Sequence, residues 1–533
     1  MKQKQIVIVG GGTAGWMTAA YLLKLFGKDN SITVIESPGI PKIGVGESVT
    51  PHVTSFFDDI GVPRHVWMKH TGAVYKYANK FINWKTGNGE TEYFSFNYTV
   101  PANRFLKDIT AATKVFDFAK TGERSTDYAL DLCKQGVFSR FDQCFNPQFH
   151  YMEKNVAPFD DNNELLLNGP SSFAQHINAE LASTFIRDNI AIPGGVKHIL
   201  ATVVDVCYQD NIISEITLDN GTAITGDLFI DCSGFHRVLI DKLGWEYKKY
   251  TDHLIDRAWV CQTDYVDPET EMVNYTQSIA EPHGWRFKIG LYHRMGNGYC
   301  YSSSHISDDE ALEHFIKQIG PQRIKPKLIK WEPTRLKTFA AGNVAAVGLT
   351  CGFIEPLEAN ALYTIITSLR LMADSLKTTT VDWTYFNNKM GYTIDDIADF
   401  ILVHYTMSSR RDTKFWRDMA DRGNELNHRK TIVDKYNESK NSMYSAITHY
   451  TMFPDYMWAQ MSYSWGEPIA TESEKNNLVA ELARNHFQHI EQKHQIISST
   501  RKNNFHWLKE SVFDNLTPAQ WEQQYIKNSI QEK

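Results

Sequence analysis

Residues 5–16 read QIVIVGGGTAGW, and this stretch decides the fold. Its first five residues form a short apolar run, which is typical of a strand buried on both faces of a parallel sheet. Gly10, Gly12 and Gly15 follow as a GxGxxG pattern, and apolar residues then recur at helical spacing as far as Phe26. A strand, a tight glycine turn and a helix are therefore predicted in this order.

The segment after this helix completes a βαβ unit. Ser31–Ile35 has the composition of a second strand, and Glu36 ends it 21 residues beyond Gly15. Glycines at a helix N-terminus let the backbone approach a pyrophosphate, and such an acidic residue can accept hydrogen bonds from an adenosine ribose. A glycine turn without a ligand is the simpler alternative, but the order of the elements favours a dinucleotide site. Its predicted cofactor-binding residues are Gly10, Gly12, Thr13, Ala14, Gly15 and Glu36.

The rest of the chain separates into a mixed part and a helical part. The mixed part begins with a helical pattern at Phe173–Asn189. Short β-rich runs follow at Ile199–Val206, Ile212–Leu218 and Leu228–Ile230. From Leu362 onward the apolar spacing is mostly helical. We therefore predict an α/β fold, with a Rossmann-type module and mixed sheet over residues 1–375 and a mostly helical, substrate-covering module over residues 376–533. The polar end from about Arg501 is expected to contribute little.

Composition excludes several classes of protein. The 533 residues carry 55 basic and 62 acidic side chains, and no basic stripe with interleaved aromatics is present, so no nucleic-acid partner is expected. No run of eighteen uncharged apolar residues and no leader pattern occurs, which predicts a cytoplasmic protein without a membrane partner. The seven cysteines lack a CxxC pair and the histidines lack ligand spacing, so no metal site is expected.

Two later segments favour FAD over NAD. DLFIDCSG (Asp227–Gly234) and GNVAAVG (Gly342–Gly348) resemble the ribose-side and flavin-side turns of FAD-dependent monooxygenases. This resemblance adds Asp231 and Gly348 to the expected cofactor-binding residues. The first module is accordingly expected to be an FAD-dependent monooxygenase-like one.

Five segments in order resemble the tryptophan-halogenase family of flavin-dependent halogenases. They are GVGES (44–48), YKYANKFINW (75–84), GYCYSS (298–303), GLTCGFIEPLEANAL (348–362) and FILVHYTMSSRRDTKFW (400–416). The resemblance extends to about residue 465. It implies an enzyme that uses reduced FAD, oxygen and halide to make hypohalous acid, which halogenates an electron-rich, indole-like aromatic. It also implies a separate flavin reductase without a stable complex, whereas a homodimer is compatible with the sequence without being required by it.

The same resemblance assigns roles to four residues. Gly46 and Glu47 match the loop that lies across the flavin, Lys80 matches the catalytic lysine, and Glu358 matches the catalytic glutamate. An ammonium can donate a hydrogen bond to hypohalous acid and make the halogen more electrophilic, and a carboxylate can take the proton from the ring. The simpler alternatives are a surface lysine on a strand edge and a carboxylate that caps a helix.

The family pattern is altered at two places. Trp-x-Trp-x-Ile-Pro appears with Phe287 as its second aromatic residue, after Trp285, and with Gly290 in place of proline. Ser-Thr-Gly after the glutamate appears as Ala359–Ala361. If the family glycine has a positive φ, Ala361 disturbs the halide cradle, and Asn360 offers an amide donor there. A looser cradle favours bromide or iodide over chloride, because chloride is the most strongly hydrated of the three.

The remaining predictions concern the substrate and the competing functions. Four aromatic residues are expected in the substrate pocket: Trp285, Phe287, Tyr456 and Trp458. An NADPH-dependent aromatic hydroxylase is the main alternative, but Leu349 stands where such enzymes usually carry aspartate and no second dinucleotide fingerprint is present. A non-catalytic flavin-fold protein is a further alternative. Charged Lys80 and Glu358 in apolar segments argue against it, because burying a charge is costly without a task.

Overall fold

A computed structural model describes most of the chain. The described residues are 4–27, 30–39, 44–89, 91–95, 125–146, 148–166, 173–377, 382–427, 430–435, 452–453, 455–464 and 477–527. The strands are β1 (Gln5–Val9), β2 (Ser31–Glu36), β3 (Glu47–Ser48), β4 (Val74–Lys76), β5 (Ala78–Ile82), β6 (Thr91–Ser95), β7 (Ala174–Ile177), β8 (Lys197–Leu200), β9 (Val203–Gln209), β10 (Ile212–Leu218), β11 (Ala223–Ile224), β12 (Leu228–Asp231), β13 (Tyr247–Lys249), β14 (Arg257–Thr263), β15 (Tyr275–Glu281), β16 (Gly284–Leu291), β17 (Arg294–Tyr301), β18 (Lys327–Lys330), β19 (Thr334–Leu336), β20 (Ala340–Ala341), β21 (Val344–Ala346) and β22 (Gly352–Phe353).

The α-helices are α1 (Thr13–Phe26), α2 (His52–Asp59), α3 (Arg64–Thr71), α4 (Ser125–Lys134), α5 (Phe141–Phe145), α6 (Gln148–Glu153), α7 (Ala179–Ile186), α8 (Pro268–Glu271), α9 (Asp308–Ile319), α10 (Asn360–Leu376), α11 (Thr384–Thr406), α12 (Lys414–Glu425), α13 (Asp455–Ser464), α14 (Asn477–Ser499), α15 (Asn504–Ser511) and α16 (Pro518–Glu522). Short 3-10 and π segments lie at Arg187–Ala191, Gly234–His236, Gly348–Thr350, Leu357–Ala359 and Gln523–Lys527. In the described residues, no helix has both the length and the apolar composition that a membrane span requires.

The chain folds into two compact units, each built from three segments. The first unit comprises Met1–Ala73, His176–Cys261 and Lys325–Ala398, and the second comprises Val74–Gln175, Gln262–Ile324 and Asp399–Lys533. The units are therefore interleaved along the chain. A division into modules at residues 375 and 376 stays a prediction.

The first unit contains the predicted Rossmann-type sheet. Its six strands follow the order β20-β21-β12-β1-β2-β8, and β1 pairs in parallel with both β2 and β12. Ile6–Val9 are buried, as expected for a strand with neighbours on both sides and helices on its faces. Helix α1 follows β1 directly, so the predicted βαβ unit and the α/β fold class are confirmed.

The second unit carries a mostly antiparallel sheet in which five strands follow the order β17-β16-β15-β5-β6. Strand β5, which bears Lys80, pairs in parallel with β15 and antiparallel with β6. It is thus an interior strand, and the alternative that Lys80 lies on a strand edge is wrong.

Two of the predicted elements differ from the structure. The helical pattern at Phe173–Asn189 begins as strand β7, and helix α7 starts only after Asn178. The Asn178 side chain accepts hydrogen bonds from the backbone N–H groups of Glu180 and Leu181, which fixes the helix start at this cap.

The polar end also differs from expectation. Residues beyond Arg501 form helices α15 and α16, and the Trp521 side chain is fully buried. Its ring packs edge-on against Tyr292 and Phe513, which stack on each other. Sparse aromatic residues thus anchor a segment whose average composition is polar, because a few large rings bury most of the apolar area.

Candidate functional site

The glycine turn after β1 has room for a ligand on one side and none on the other. Gly10 has φ +119°, and a Cβ there would lie 2.4 Å from the Cys232 carbonyl oxygen. A Cβ on Gly15 would lie 1.8 Å from the Gly10 oxygen. Gly12 differs, because a Cβ there would meet no atom within 4 Å. The open space lies at the N-terminus of α1, where backbone N–H groups without helical acceptors can bind a pyrophosphate.

Two later turns meet this glycine turn. Gly348 has φ +75°, and a Cβ there would approach the Ala14 Cβ to 2.9 Å. Thr350 accepts a hydrogen bond of 3.0 Å from the Gly234 N–H, which joins the turns after β12 and β21. The structure therefore brings the predicted residues Ala14, Gly15 and Gly348 together at the carboxyl ends of parallel strands, the usual place for a ligand in such sheets.

Asp231 has a supporting place beside this turn. Its carboxylate is fully buried and accepts hydrogen bonds from Ser233, Leu239 and Ile240 at 2.6–3.1 Å. Both oxygens hold the loop that follows β12. A direct contact with a cofactor would have to displace one of these bonds, so Asp231 orders the loop instead of offering a free oxygen.

Glu36 has a partner that sequence reasoning missed. Its carboxylate lies 2.9 Å from His198 Nε2, and the His198 ring packs edge-on against Trp16 with 5.0 Å between centroids. His198 lies on β8, which pairs with β2. Only this pairing reveals the contact, because the two residues lie 162 positions apart in the chain.

The loop with Gly46 and Glu47 runs into a short strand pair of the first unit. Gly46 has φ +121°, and Glu47 pairs with Ile177 across β3 and β7. Burial raises the pKa of the Glu47 carboxyl to about 7. The open space at the glycine turn and the Glu36 carboxylate have the chemistry that a diphosphate and a ribose require, whereas the contact of the Gly46–Glu47 loop with a flavin ring stays a prediction.

Gly12→Ala tests this cradle. The apo variant is expected to unfold at the same temperature as the parent protein, because its Cβ meets no protein atom and φ −83° suits any L residue. FAD affinity is expected to fall roughly tenfold or more, since the methyl group occupies the ligand space. Thermal unfolding and fluorescence titration with FAD measure the two effects.

The matched control is Gly39→Ala, where a Cβ also meets no atom within 4 Å and the site is an exposed turn. It should change neither quantity. Full FAD affinity in Gly12→Ala would show that the open space does not hold the cofactor.

Glu358 lies in a strained turn before α10. It has φ +65° and Ala359 has φ +60°, so both lie in the left-handed region. This conformation costs a residue with a side chain about 1–2 kcal/mol. The Glu358 side chain is only 2% exposed. Ala359 is the N-cap of α10, and no side chain caps it, so the alternative that Glu358 is a helix cap is wrong.

The residues after Glu358 correct one expectation. Ala361 is a helical residue of α10, and the positive φ values fall on Glu358 and Ala359 instead. The Asn360 amide donates to the backbone oxygens of Glu355 and Leu357 at 2.9 and 2.7 Å, so it braces the turn. The predicted halide contacts at Asn360 and Ala361 are thus reduced to backbone N–H groups of the first helical turn.

Lys80 is a half-buried residue of the second unit. Its ammonium lies over the Tyr275 ring, 5.0 Å from the centroid, which gives a cation–π contact. Burial lowers the pKa of Lys80, while the Glu153 carboxylate opposes this shift and Arg140 adds to it. Burial thus disfavours the charged form of Lys80, whereas the Tyr275 ring and the Glu153 carboxylate favour it.

Trp285 and Phe287 lie on the other face of the sheet from Lys80. Across the three strands β5, β15 and β16, Lys80 is in register with Gln277 and then with Lys288. Phe287 belongs to the next row, in register with Ser278 and Phe81. Paired residues share a face and neighbours alternate, so the register separates the two sets. The expected aromatic wall is present, and Trp285 packs against Trp84 with 6.4 Å between centroids, but it does not face Lys80.

The two remaining pocket residues lie on α13. Trp458 is buried and packs edge-on against Phe400, with 4.8 Å between centroids. The side chain of Tyr456 lies outside the described part of the structure. Trp458 therefore contributes to the core of the second unit, and its contact with substrate stays a prediction.

Comparison with known proteins gives one family. The sequence matches the family described as tryptophan halogenase over residues 5–478. It is 33% identical over 430 residues to the tryptophan 6-halogenase ThaL of Streptomyces albogriseolus, covering 78% of each chain. The structure is similar to that of the tryptophan 6-halogenase SttH from Streptomyces toxytricini, with TM-score 0.82, 25% identity and coverage of 95% and 99%. It is also similar to Xcc4156, a flavin-dependent halogenase from Xanthomonas campestris, with TM-score 0.78, 26% identity and coverage of 96% and 98%.

Proposed function

Because the chain belongs to the tryptophan halogenase family and is an FAD-dependent halogenase, we propose that Lys80 and Glu358 carry halogen transfer to an electron-rich, indole-like ring. In this reaction a ring C–H bond and hypohalous acid give a carbon–halogen bond and water. The O–X bond breaks toward oxygen, and the ring proton leaves to a base. One observation carries the assignment: a half-buried ammonium on an interior strand, over an aromatic ring.

The residues of the first unit would hold the cofactor. The chemistry that bound reduced FAD contributes is the oxidation of halide by oxygen to hypohalous acid. The glycine turn, Glu36, Gly46, Glu47 and Gly348 would hold it in the first unit. A separate flavin reductase in the cytosol would provide reduced FAD, without a stable complex, and a homodimer is compatible with this scheme.

Lys80 would hold the oxidant. Its ammonium donates a hydrogen bond to the oxygen of hypohalous acid, which draws electron density from the halogen and favours attack by the ring. The Tyr275 ring and the Glu153 carboxylate favour the charged form that this role needs, against the effect of burial.

Glu358 would receive the ring proton. The two left-handed residues of its turn, Glu358 and Ala359, raise the free energy of the local backbone. Such strain is often found at functional sites, where a side chain must be held in one direction. The Glu358 carboxyl is buried directly before the N-terminus of α10, where it would be kept from bulk water.

A direct assay tests this function. The protein is incubated with FAD, a flavin reductase, NADH and bromide, together with a panel of indoles and phenols, and products are read by mass spectrometry. Monobrominated products are expected. Products that gain one oxygen instead would identify an aromatic hydroxylase, and the absence of any product would favour a non-catalytic flavin-fold protein.

The halide preference is a separate proposal. We expect bromide or iodide to be used in preference to chloride, because Ala359, Asn360 and Ala361 offer no hydroxyl and the Asn360 amide is engaged in the turn. Chloride loses the most hydration free energy of the three halides when it leaves water. It therefore depends most on additional hydrogen-bond donors in the protein. Competition between equimolar halides measures the product ratio, and a predominantly chlorinated product would contradict the preference.

A further inference from the structure

The turn that carries Glu358 is anchored on both sides. Before it, β22 pairs with β19, and Trp331 Nε1 donates a hydrogen bond of 2.7 Å to the Ile354 carbonyl. After it, Thr364 Oγ1 donates to the Asn360 carbonyl at 2.9 Å within α10. The two left-handed residues lie between these anchors, so a short segment with fixed ends contains a conformation that the backbone disfavours.

The Asn360 side chain spans this segment. Its amide nitrogen donates to the backbone oxygens of Leu357 and Glu355 at 2.7 and 2.9 Å, and the residue is only 4% exposed. The backbone hydrogen bond within the turn, from the Ala359 N–H to the Pro356 carbonyl, is long at 3.4 Å. The two side-chain hydrogen bonds, named the Asn360 brace below, therefore connect the start of α10 to two peptide groups that precede the strained residues.

The brace and the strain act in opposite directions. Each hydrogen bond to a buried carbonyl stabilises the turn, and each left-handed residue with a side chain destabilises it by an amount of the same order. Without the brace, the turn is expected to relax toward negative φ values. A change of φ at Glu358 redirects its Cβ, so the carboxyl would leave its present position.

We propose that Asn360 is a positioning residue, which keeps the Glu358 carboxyl where it can take the ring proton. The proposal rests on the role of Glu358 in the proposed function. A base must lie within hydrogen-bond reach of the proton that it removes, and a displacement of about 1 Å can cost roughly 10²-fold in rate. Because Ala359–Ala361 replaces the Ser-Thr-Gly of the family pattern, the brace depends on a residue in which this chain departs from that pattern.

Amide hydrogen exchange of the full-length protein tests the brace without any turnover. Asn360→Ala is expected to speed exchange of the backbone amides in residues 354–360 roughly 10- to 100-fold, the effect of two lost hydrogen bonds on local opening. Asn360→Asp keeps the shape but loses the amide donor, so it should exchange at least as fast as Asn360→Ala. Adding Ala359→Gly to Asn360→Ala should slow exchange again, because glycine adopts φ +60° without strain.

Asn387→Ala is the matched control. The Asn387 carboxamide also binds backbone groups of the first unit, since it accepts from the Phe339 and Ala340 N–H groups and donates to the Ala340 carbonyl at 2.8–2.9 Å. Its loss removes a comparable set of hydrogen bonds from another turn. Exchange of residues 354–360 should therefore stay at the rate of the parent protein.

Halogenation kinetics separate this inference from the proposed function. At saturating bromide, Asn360→Ala is expected to slow single-turnover bromination of the best indole of the panel roughly tenfold. A primary isotope effect should appear with the ring-deuterated indole, because removal of the ring proton then limits the rate. Asn387→Ala should change neither quantity.

The possible results have distinct meanings. Unchanged exchange in Asn360→Ala, or fast exchange that Ala359→Gly does not slow, would overturn the Asn360 brace alone. Fast exchange in Asn360→Ala, combined with an unchanged bromination rate and no isotope effect, would overturn the proposed role of Glu358 while the brace itself would stand.

Discussion

Lys80→Ala is expected to abolish halogenation, a loss of roughly 10³-fold or more, while FAD affinity stays close to that of the parent protein. The size follows from removing the one donor that is proposed to hold the oxidant. FAD affinity should persist because the glycine turns belong to the first unit and Lys80 belongs to the second. Product yield by mass spectrometry and FAD titration by fluorescence give the two measurements.

Two further variants make this result specific. Lys85→Ala removes a nearby lysine whose ammonium donates to the Ser464 carbonyl, and it should keep its halogenation rate. Lys80→Arg retains the charge with a different shape and should recover only part of the activity. Normal product yield from Lys80→Ala, with folding intact, would remove Lys80 from the mechanism.

Glu358→Gln is expected to slow ring halogenation by roughly 10²-fold or more, the scale of a lost general base. The amide has the same shape as the carboxyl, so the left-handed turn and FAD affinity should be preserved. Single-turnover product formation measures the rate, and thermal unfolding monitors the fold.

Ala359→Gly serves as the control for the turn. Glycine adopts φ +60° without strain, so this variant should be at least as stable as the parent protein while Glu358 is retained. It should therefore keep a rate far above that of Glu358→Gln. An unchanged rate in Glu358→Gln would reduce Glu358 to a structural role.

Local patterns predicted the first unit well. The apolar run before Gly10 and the helical spacing after Trp16 are contiguous, so β1 and α1 follow from the sequence within a few residues. The family resemblance assigned catalytic roles to Lys80 and Glu358 from their flanking segments, and these roles stay predictions. Contacts between distant segments lay beyond this reasoning, as the pairing of Glu36 with His198 shows.

Backbone and register were the features that sequence could not reveal. A positive φ was considered for Ala361 on the condition that the family glycine has one, but the positive φ values occur at Glu358 and Ala359, where no glycine marks the position. The opposite placement of Lys80 and Phe287 depends on strand register, and a shift of one residue would reverse it. The burial of Trp521 could not be predicted from the average polarity of its segment, because a few large rings contribute little to that average.

The interleaving of the two units has a consequence for biosynthesis and for protein engineering. Strand β1 pairs with β12, and β12 pairs with β21. The sheet of the first unit therefore cannot be completed until residue 346 has left the ribosome. Meanwhile the intervening segments of the second unit are already synthesised and must wait for Asp399–Lys533. Chaperone demand should therefore be high during translation, and a fragment cut at residue 375 should not yield a soluble cofactor-binding domain.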